Sequence, residues 1–73
     1  MTTRQRLVFI GGGNMAEALL RGILAAGRMR PDEILATDVR EERLAYLTST
    51  YRIAGSSDNA AAARQAETIV LAV

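Results

Sequence analysis

The sequence predicts an α/β domain built on a doubly wound parallel sheet, and three features support this expectation. Short apolar runs alternate with segments of helical period, which gives the order βαβαβαβ. Three consecutive glycines separate the first run from a helix. The last run, Thr68 to Val73, is continuous and apolar, as in strands that are buried on both faces of a parallel sheet. Right-handed crossovers between such strands predict the spatial order 3-2-1-4.

Composition limits the size and class of the protein. The chain has 73 residues, of which 49% are hydrophobic and 23% charged, as expected for one small folded domain. Its net charge of +1 gives no field that would attract nucleic acid or an anionic membrane. Because Cys and His are both absent, we expect no disulfide, no thiolate metal site and a reduced, cytoplasmic setting. The apolar runs are too short for a signal peptide or a membrane span.

The glycine turn after the first strand carries the most informative motif. Gly11, Gly13 and Ala16 spell GxGxxA, the dinucleotide-binding fingerprint in the variant that ends in Ala. Gly11 permits a sharp turn out of the strand, and Gly13 lets a pyrophosphate approach bare backbone. Ala16 is small enough for the helix to pack closely on the strand. Unpaired N–H groups and the helix dipole favour a phosphate at this helix start, so the sequence predicts a partial Rossmann-type fold with a nucleotide site.

The choice between NAD and NADP depends on the end of the second strand. Asp38 follows Ala16 at about the 20-residue spacing at which the fingerprint places an acid for the adenosine ribose. An acid there favours the free 2′-hydroxyl of NAD, whereas Arg40 and Arg43 could hold the 2′-phosphate of NADP. Asp38 also has an interpretation as a loop acid or as the N-cap of the second helix. Both cofactors therefore stay open.

The first helix has apolar residues on more than one side. Spacings of three and four predict a stripe that faces the sheet, made of Met15, Ala18, Leu19, Gly22, Ile23 and Ala26. Leu20 and Leu24 lie outside this stripe, so we expect a second covered face. Glu17 and Arg21 are four positions apart and are expected to pair. Gly27 is the expected C-terminal signal of the helix.

The later elements continue the alternation. The expected bounds are a tight turn at 31–33, strands at 34–37, 53–54 and 68–73, and helices that begin at 40 and at 59, the latter ending near 66. The second helix should face the sheet with Leu44, Leu47, Thr48 and Tyr51. Because natural chains usually cover an apolar sheet edge, the fourth strand leads us to expect the N-terminal piece of a longer protein.

Several further residues are candidates for nucleotide contacts. Asn14 is either a helix cap or a phosphate contact, and Met15 is expected in the core with only its backbone near the cofactor. Asn59 opens the third helix, either as a cap or as a contact in the nucleotide crevice. Ala72 and Val73 lie at the carboxyl end of the fourth strand, where ligands bind or where simple packing would suffice. The remaining carboxylates and tyrosines form no acid-base group, so we expect catalytic groups elsewhere.

The stretch FIGGGNMAEALLRGIL resembles the opening of pyrroline-5-carboxylate reductase, whose members begin with a strand, a G-x-G-[NQ]-[ML] turn and a helix. PDEI before the second strand, EERL after it and the closing LAV extend the resemblance over the whole chain. The resemblance implies an NAD(P)H-dependent reductase that makes L-proline by delivering hydride to the imine carbon of 1-pyrroline-5-carboxylate. It also implies that the substrate pocket and the homo-oligomer contacts belong to a helical C-terminal domain, before which this sequence is truncated.

The resemblance and the residue pattern together define a candidate cofactor site. Its members are Ile10, Gly11, Gly12, Gly13, Asn14, Met15, Asp38, Arg40, Asn59, Ala72 and Val73. Many members of the resembled family prefer NADPH and have a small neutral residue in place of Asp38, so this chain departs from them at that position. The alternatives are another dehydrogenase of the superfamily, such as a prephenate or 3-hydroxyacid dehydrogenase, and a non-enzymatic nucleotide-sensing regulatory domain.

Overall fold

A computed structural model describes residues 6–64 and 66–72 and confirms the α/β architecture. Its elements in chain order are β1 (Leu7–Ile10), α1 (Asn14–Ala25), a 3₁₀ turn (Pro31–Glu33), β2 (Ile34–Thr37), α2 (Glu41–Tyr51), β3 (Ala54–Ser56), α3 (Asn59–Arg64) and β4 (Thr68–Leu71). The strands pair in parallel in the order β3-β2-β1-β4, as predicted. The carboxyl ends of β1 and β2 therefore meet at one edge of the sheet.

Strand β1 is the centre of the core. Phe9 is 1% exposed and clusters with residues of α1, α2 and β2, whereas Val8 is fully buried but lies outside that cluster. Successive side chains of a strand point to opposite faces, so Val8 and Phe9 mark the two faces of the sheet. Ala62 of α3 is also buried outside the cluster, which agrees with α3 packing on the face opposite to α1 and α2. A strand covered on both faces holds the glycine turn at its end in place.

Helix α1 buries a face that overlaps the predicted one only at Ile23. The residues that pack inward are Ala16, Leu20, Ile23 and Leu24. Met15 and Leu19, which the spacing predicts to face the sheet, are 65% and 45% exposed. The prediction is wrong because this helix has two apolar stripes of similar spacing. The fingerprint's own requirement that Ala16 pack on β1 selects between them.

The helix and turn boundaries agree closely with the sequence. Gly27 has φ +67 and follows Ala26, the C-cap of α1, as expected of a terminating glycine. Helix α2 begins at Glu41 with Arg40 as N-cap and buries Leu47 on the predicted face. Strand β3 lies slightly later than predicted, and Ala66 lies outside α3. Such shifts are within the usual uncertainty of element ends.

Strand β4 is more exposed than predicted. Ile69 and Leu71 are 44% and 72% exposed, so the expectation of a strand buried on both faces is wrong within the described residues. Strand β4 pairs with β1 and forms one edge of the sheet, so among the described residues its second edge and its apolar side chains are left uncovered. The strand ends at Leu71, and Val73 lies outside the described residues. The open apolar edge itself agrees with the sequence.

Candidate functional site

The turn from β1 into α1 is fixed by its neighbour β2. Gly11 has φ +102, a conformation that side-chain-bearing residues rarely adopt. Its N–H donates to the backbone oxygen of Thr37 at 3.0 Å and to the Thr37 hydroxyl at 3.3 Å. The Thr37 hydroxyl in turn donates to the carbonyl of Phe9. The chain therefore leaves the sheet in a single defined direction.

Gly12 and Gly13 differ in what a side chain would meet. A Cβ on Gly12 would lie 2.9 Å from Cδ1 of Leu47, so any side chain there would force this buried leucine of α2 to shift. A Cβ on Gly13 would meet nothing within 4 Å. Gly13 also has φ −78, which any residue adopts. The packing and backbone of the described residues therefore do not require a glycine at Gly13, whereas a ligand that approaches the backbone would.

The start of α1 is open to an anion. Gly13 is the N-cap, and within residues 6–64 and 66–72 no side chain hydrogen-bonds to the N–H groups that it leaves unpaired. Asn14 is the first helical residue, so its interpretation as the cap is wrong. Met15 is exposed, so the expectation that it lies in the core is also wrong. The twelve-residue helix thus presents unpaired donors and the positive end of its dipole at this point.

Asp38 ties the glycine turn to the loop after β2. Its Oδ2 accepts the N–H of Gly12 at 3.0 Å, and its Oδ1 accepts the N–H of Arg40 at 2.9 Å. The guanidinium of Arg40 adds bonds of 2.9 Å and 2.7 Å to the same carboxylate. The side-chain hydrogen bonds from Arg40 hold the pKa of Asp38 well below its usual range. Arg40, not Asp38, is the N-cap of α2, so Asp38 is a loop acid with its charge paired.

A pocket of about 190 Å³ lies at the carboxyl ends of β1 and β2. Its walls are Ile10, Gly11, Thr37, Asp38, Val39 and Asn59. Asn59 is not the cap of α3, because Oδ1 of Asp58 accepts the N–H of Ala61 at 3.0 Å in that role. The structure therefore brings Asn59 to the glycine turn and to Asp38, as the contact interpretation requires.

The sequence missed Thr37 and Val39 as walls of this pocket. The signal that could have identified them is their place at the carboxyl end of β2, next to Asp38. Ala72 follows β4 and donates its N–H to the carbonyl of Ile10 at 2.9 Å, which places it beside the same edge. Arg40 lies beside the pocket at the carboxyl ends of the strands, because its guanidinium pairs with Asp38.

A larger cavity of about 400 Å³ lies at the opposite end of the sheet. Its lining residues are Arg6, Leu7, Arg28, Met29, Glu67 and Thr68. Arg6 is already paired with Glu33 at 3.3 Å and with Glu67 at 3.7 Å. Ligands of parallel α/β sheets bind outside the carboxyl ends of the strands, so the smaller pocket is the candidate site.

A polar cluster joins α1 to α2 behind the glycine turn. The guanidinium of Arg43 donates from Nε to the carbonyl of Gly12 and from Nη2 to Glu17 at 2.8 Å. The hydroxyls of Tyr46 and Tyr51 donate to the other oxygen of Glu17. Glu17 thus pairs with Arg43 and not with Arg21 as predicted, because α2 brings a better-placed cation to it. The bonds from Tyr51 and then Tyr46 lower the pKa of Glu17 to about 2.

Replacing Glu17 with Gln is expected to lower Tm in a pH-dependent way. The fold lowers the Glu17 pKa from 4.5 to about 2. The stabilisation that the ionised Glu17 contributes is therefore present above pH 4.5 and is lost as the pH falls towards 2. The bond to Glu17 raises the pKa of Tyr51 from 10.0 to about 12. The stabilisation that this bond contributes is therefore present below pH 10.0 and is lost as the pH rises towards 12. The Tm difference between wild type and variant should be constant between pH 4.5 and pH 10.0, and it should become smaller at more acidic and at more alkaline pH.

Thermal unfolding followed by circular dichroism at acidic, neutral and alkaline pH measures this difference. Glu41→Gln changes an exposed carboxylate at the start of α2 and serves as the control. A Glu17 variant whose Tm deficit is as large near pH 2 as at neutral pH would contradict the assignment.

Comparison with known proteins identifies the relatives of this chain. The family described as NADP oxidoreductase coenzyme F420-dependent matches residues 6–73. The pyrroline-5-carboxylate reductase of Methanosarcina acetivorans is 41% identical over 69 residues, which cover 94% of this chain and 26% of that protein. The same enzyme of Corynebacterium melassecola is 41% identical over 73 residues, which cover 100% of this chain and 26% of that protein. A solved pyrroline-5-carboxylate reductase structure from Coxiella burnetii has a TM-score of 0.85 and 34% identity, covering 97% of this chain and 26% of that one.

These relatives confirm the resemblance that the sequence predicted. The chain spans about a quarter of the length of the relatives that it matches. In the part of the chain that the structure covers, no helix is long and apolar enough to cross a membrane. Nor do the side chains placed there form a group of three or more metal-ligating residues. The glycine turn, the open helix start and these matches lead to one conclusion: the chain belongs to the family of NADP oxidoreductases described as coenzyme F420-dependent.

Proposed function

We propose that this chain is the cofactor-binding part of a reductase that transfers hydride from NADPH or NADH to 1-pyrroline-5-carboxylate and forms L-proline. The observation that carries the proposal is the pocket at the carboxyl ends of β1 and β2, where Gly11, Asp38 and Asn59 meet beside the uncapped start of α1. The names of the relatives supply the substrate class. A cytoplasmic location, a helical C-terminal substrate domain and a homo-oligomer formed through that domain belong to the same proposal.

The residues of the site fit two parts of a dinucleotide, the diphosphate and the adenosine ribose. The bare backbone of Gly13 and the first turn of α1 suit the diphosphate, because their N–H groups are unpaired. Asp38 and Arg40 lie where the fingerprint places the adenosine ribose; their mutual pair would have to open for Asp38 to accept the ribose hydroxyls or for Arg40 to meet a 2′-phosphate. Asn59 lines the same pocket as Gly11 and Asp38. We propose Ile10 to Met15, Asp38, Arg40, Asn59 and Ala72 as the cofactor site, together with Val73, which lies outside the described residues.

The chemistry divides between the cofactor and the chain. A nicotinamide nucleotide, when bound, supplies the hydride. The contribution of this chain is to bind and orient the nucleotide, for which a rigid turn and a paired Asp38 suffice. Catalytic contacts to the imine are assigned to the remainder of the full-length protein. A domain with neither His nor Cys can perform this task, because it needs to move no proton itself.

The proposal predicts that the full-length protein oxidises NADPH or NADH when 1-pyrroline-5-carboxylate is added, with formation of proline. Absorbance of the reduced nicotinamide and amino-acid analysis measure the two halves of the reaction. The isolated 73-residue chain is expected to bind the nucleotide weakly and to form no proline. Prephenate and 3-hydroxyacids with the oxidised cofactors are the comparison substrates. Turnover of these alone would favour another dehydrogenase, and binding without turnover of any substrate would favour a sensing domain.

A further inference from the structure

Both polar groups of Gly12 are held by side chains that follow β2. Its N–H donates to Asp38 at 3.0 Å, and its carbonyl accepts a hydrogen bond from Nε of Arg43. Gly12 itself is buried, and a Cβ on it would have to displace the side chain of Leu47. The middle residue of the turn is therefore clamped through both of its backbone polar groups, by Asp38 at the pocket and by Arg43 from α2.

Arg43 is itself held firmly. Its Nη2 donates to Glu17 at 2.8 Å, and its side chain is only 19% exposed. Its guanidinium carbon lies 5.1 Å from the centre of the Tyr46 ring, within the range of a cation–π contact. Glu17 is fixed by the hydroxyls of Tyr46 and Tyr51. Because a guanidinium is planar, anchoring Nη2 on Glu17 also fixes where Nε points.

The carbonyl of Gly12 and the N–H of Gly13 belong to the same peptide group. In a trans peptide these two groups point in opposite directions, so holding one sets the direction of the other. The bond from Arg43 draws the Gly12 carbonyl towards α2. The Gly13 N–H consequently points away from Arg43, and among the described residues it has no hydrogen-bond acceptor.

We infer that Arg43 is a positioning residue for nucleotide binding, which orients the Gly12–Gly13 peptide so that its N–H faces the diphosphate. The inference rests on the proposed function. It gives Arg43 a different task from the one that its position suggested, since its Nε and Nη2 donate to Gly12 and Glu17. Glu17, Tyr46 and Tyr51 act through Arg43 and need not touch the ligand.

The test compares Arg43→Gln and Arg43→Lys with wild type in the full-length protein. Both variants are expected to raise the Kd for NADPH about tenfold, the effect of losing one charge-assisted hydrogen bond. Lysine keeps the charge but is a single point donor, so it cannot reach Gly12 and Glu17 together. The Kd for adenosine 2′-phosphate, which has no diphosphate, is expected to stay within about twofold. Arg28→Gln removes the same charge at the far end of the sheet and is the matched control.

Fluorescence titration gives the Kd values, and circular dichroism checks that each variant is folded. If Arg43→Gln does not fold, the lysine variant decides the question. Equal weakening of NADPH and adenosine 2′-phosphate would mean general destabilisation, and full affinity in the lysine variant would mean a charge effect; either result overturns the inference. Wild-type protein that binds neither NADPH nor NADH would remove the proposed function as well. If wild-type protein binds NADPH and both Arg43 variants bind it with the same affinity, the inference about Arg43 is wrong but the proposed function stands.

Discussion

Replacing Gly13 with Asp is expected to abolish nucleotide binding while leaving the fold at least as stable as before. A Cβ at Gly13 would meet no atom of the described residues within 4 Å, and its φ of −78 suits any residue. Asp is a preferred N-cap, so its carboxylate should accept hydrogen bonds from the free N–H groups of α1. It would then occupy the place proposed for the phosphate with the same sign of charge. We expect the Kd for NADPH and NADH to rise at least about a hundredfold.

The decisive comparison is between affinity and stability in the same variant. Titration of the full-length protein gives the Kd, and thermal unfolding gives Tm. Gly22→Ala is the matched control, because a Cβ on Gly22 would also meet nothing within 4 Å, but Gly22 lies on the exposed part of α1. It should raise stability by about 0.5–1 kcal/mol, as expected for a helical Gly→Ala change, and leave the Kd unchanged. Normal NADPH affinity in Gly13→Asp would place the diphosphate elsewhere.

Replacing Asp38 with Ala is expected to shift cofactor preference strongly towards NADP. The variant removes the acceptor for the ribose hydroxyls and the bond to the N–H of Gly12. It also releases the guanidinium of Arg40, which in the wild type is paired with this carboxylate at 2.7 Å. The Kd for NADH should rise between about tenfold and a hundredfold. The Kd for NADPH should rise much less, because the freed guanidinium of Arg40 can pair with the 2′-phosphate.

Arg40→Ala provides the reciprocal measurement. The substitution should raise the Kd for NADPH about tenfold and leave the Kd for NADH within about twofold, since only NADPH carries the extra phosphate. Asp32→Ala is the control for loss of a carboxylate, because Asp32 pairs with Arg30 at 3.2 Å in a similar local arrangement that lies outside the candidate pocket. Equal loss of both cofactors in Asp38→Ala, or no loss of either, would remove Asp38 from the ribose site.

The agreement between sequence and structure is strongest where a feature depends on neighbouring residues. The alternation of apolar runs with helical periods predicts each strand and helix, and the glycine spacing predicts the turn at Gly11. Disagreement begins where a residue's partner lies far along the chain. The face of α1 is ambiguous from the sequence because Met15 and Leu20 both belong to regular apolar patterns. Asn14 is a candidate cap by residue type, yet the N-cap lies one residue earlier, at Gly13.

The sequence by itself determined the fold class, the strand order and the place of the glycine turn, because hydrophobic period and glycine spacing are local properties and crossover handedness is a general rule. Only the tertiary structure decided which face of α1 is buried and what holds the turn. The bonds from Gly12 to Asp38 and Arg43 join residues 26 and 31 positions apart. Such contacts depend on how α2 packs beside α1 on the sheet. Periodicity specifies which side of a helix is apolar, but not which distant polar groups it brings together.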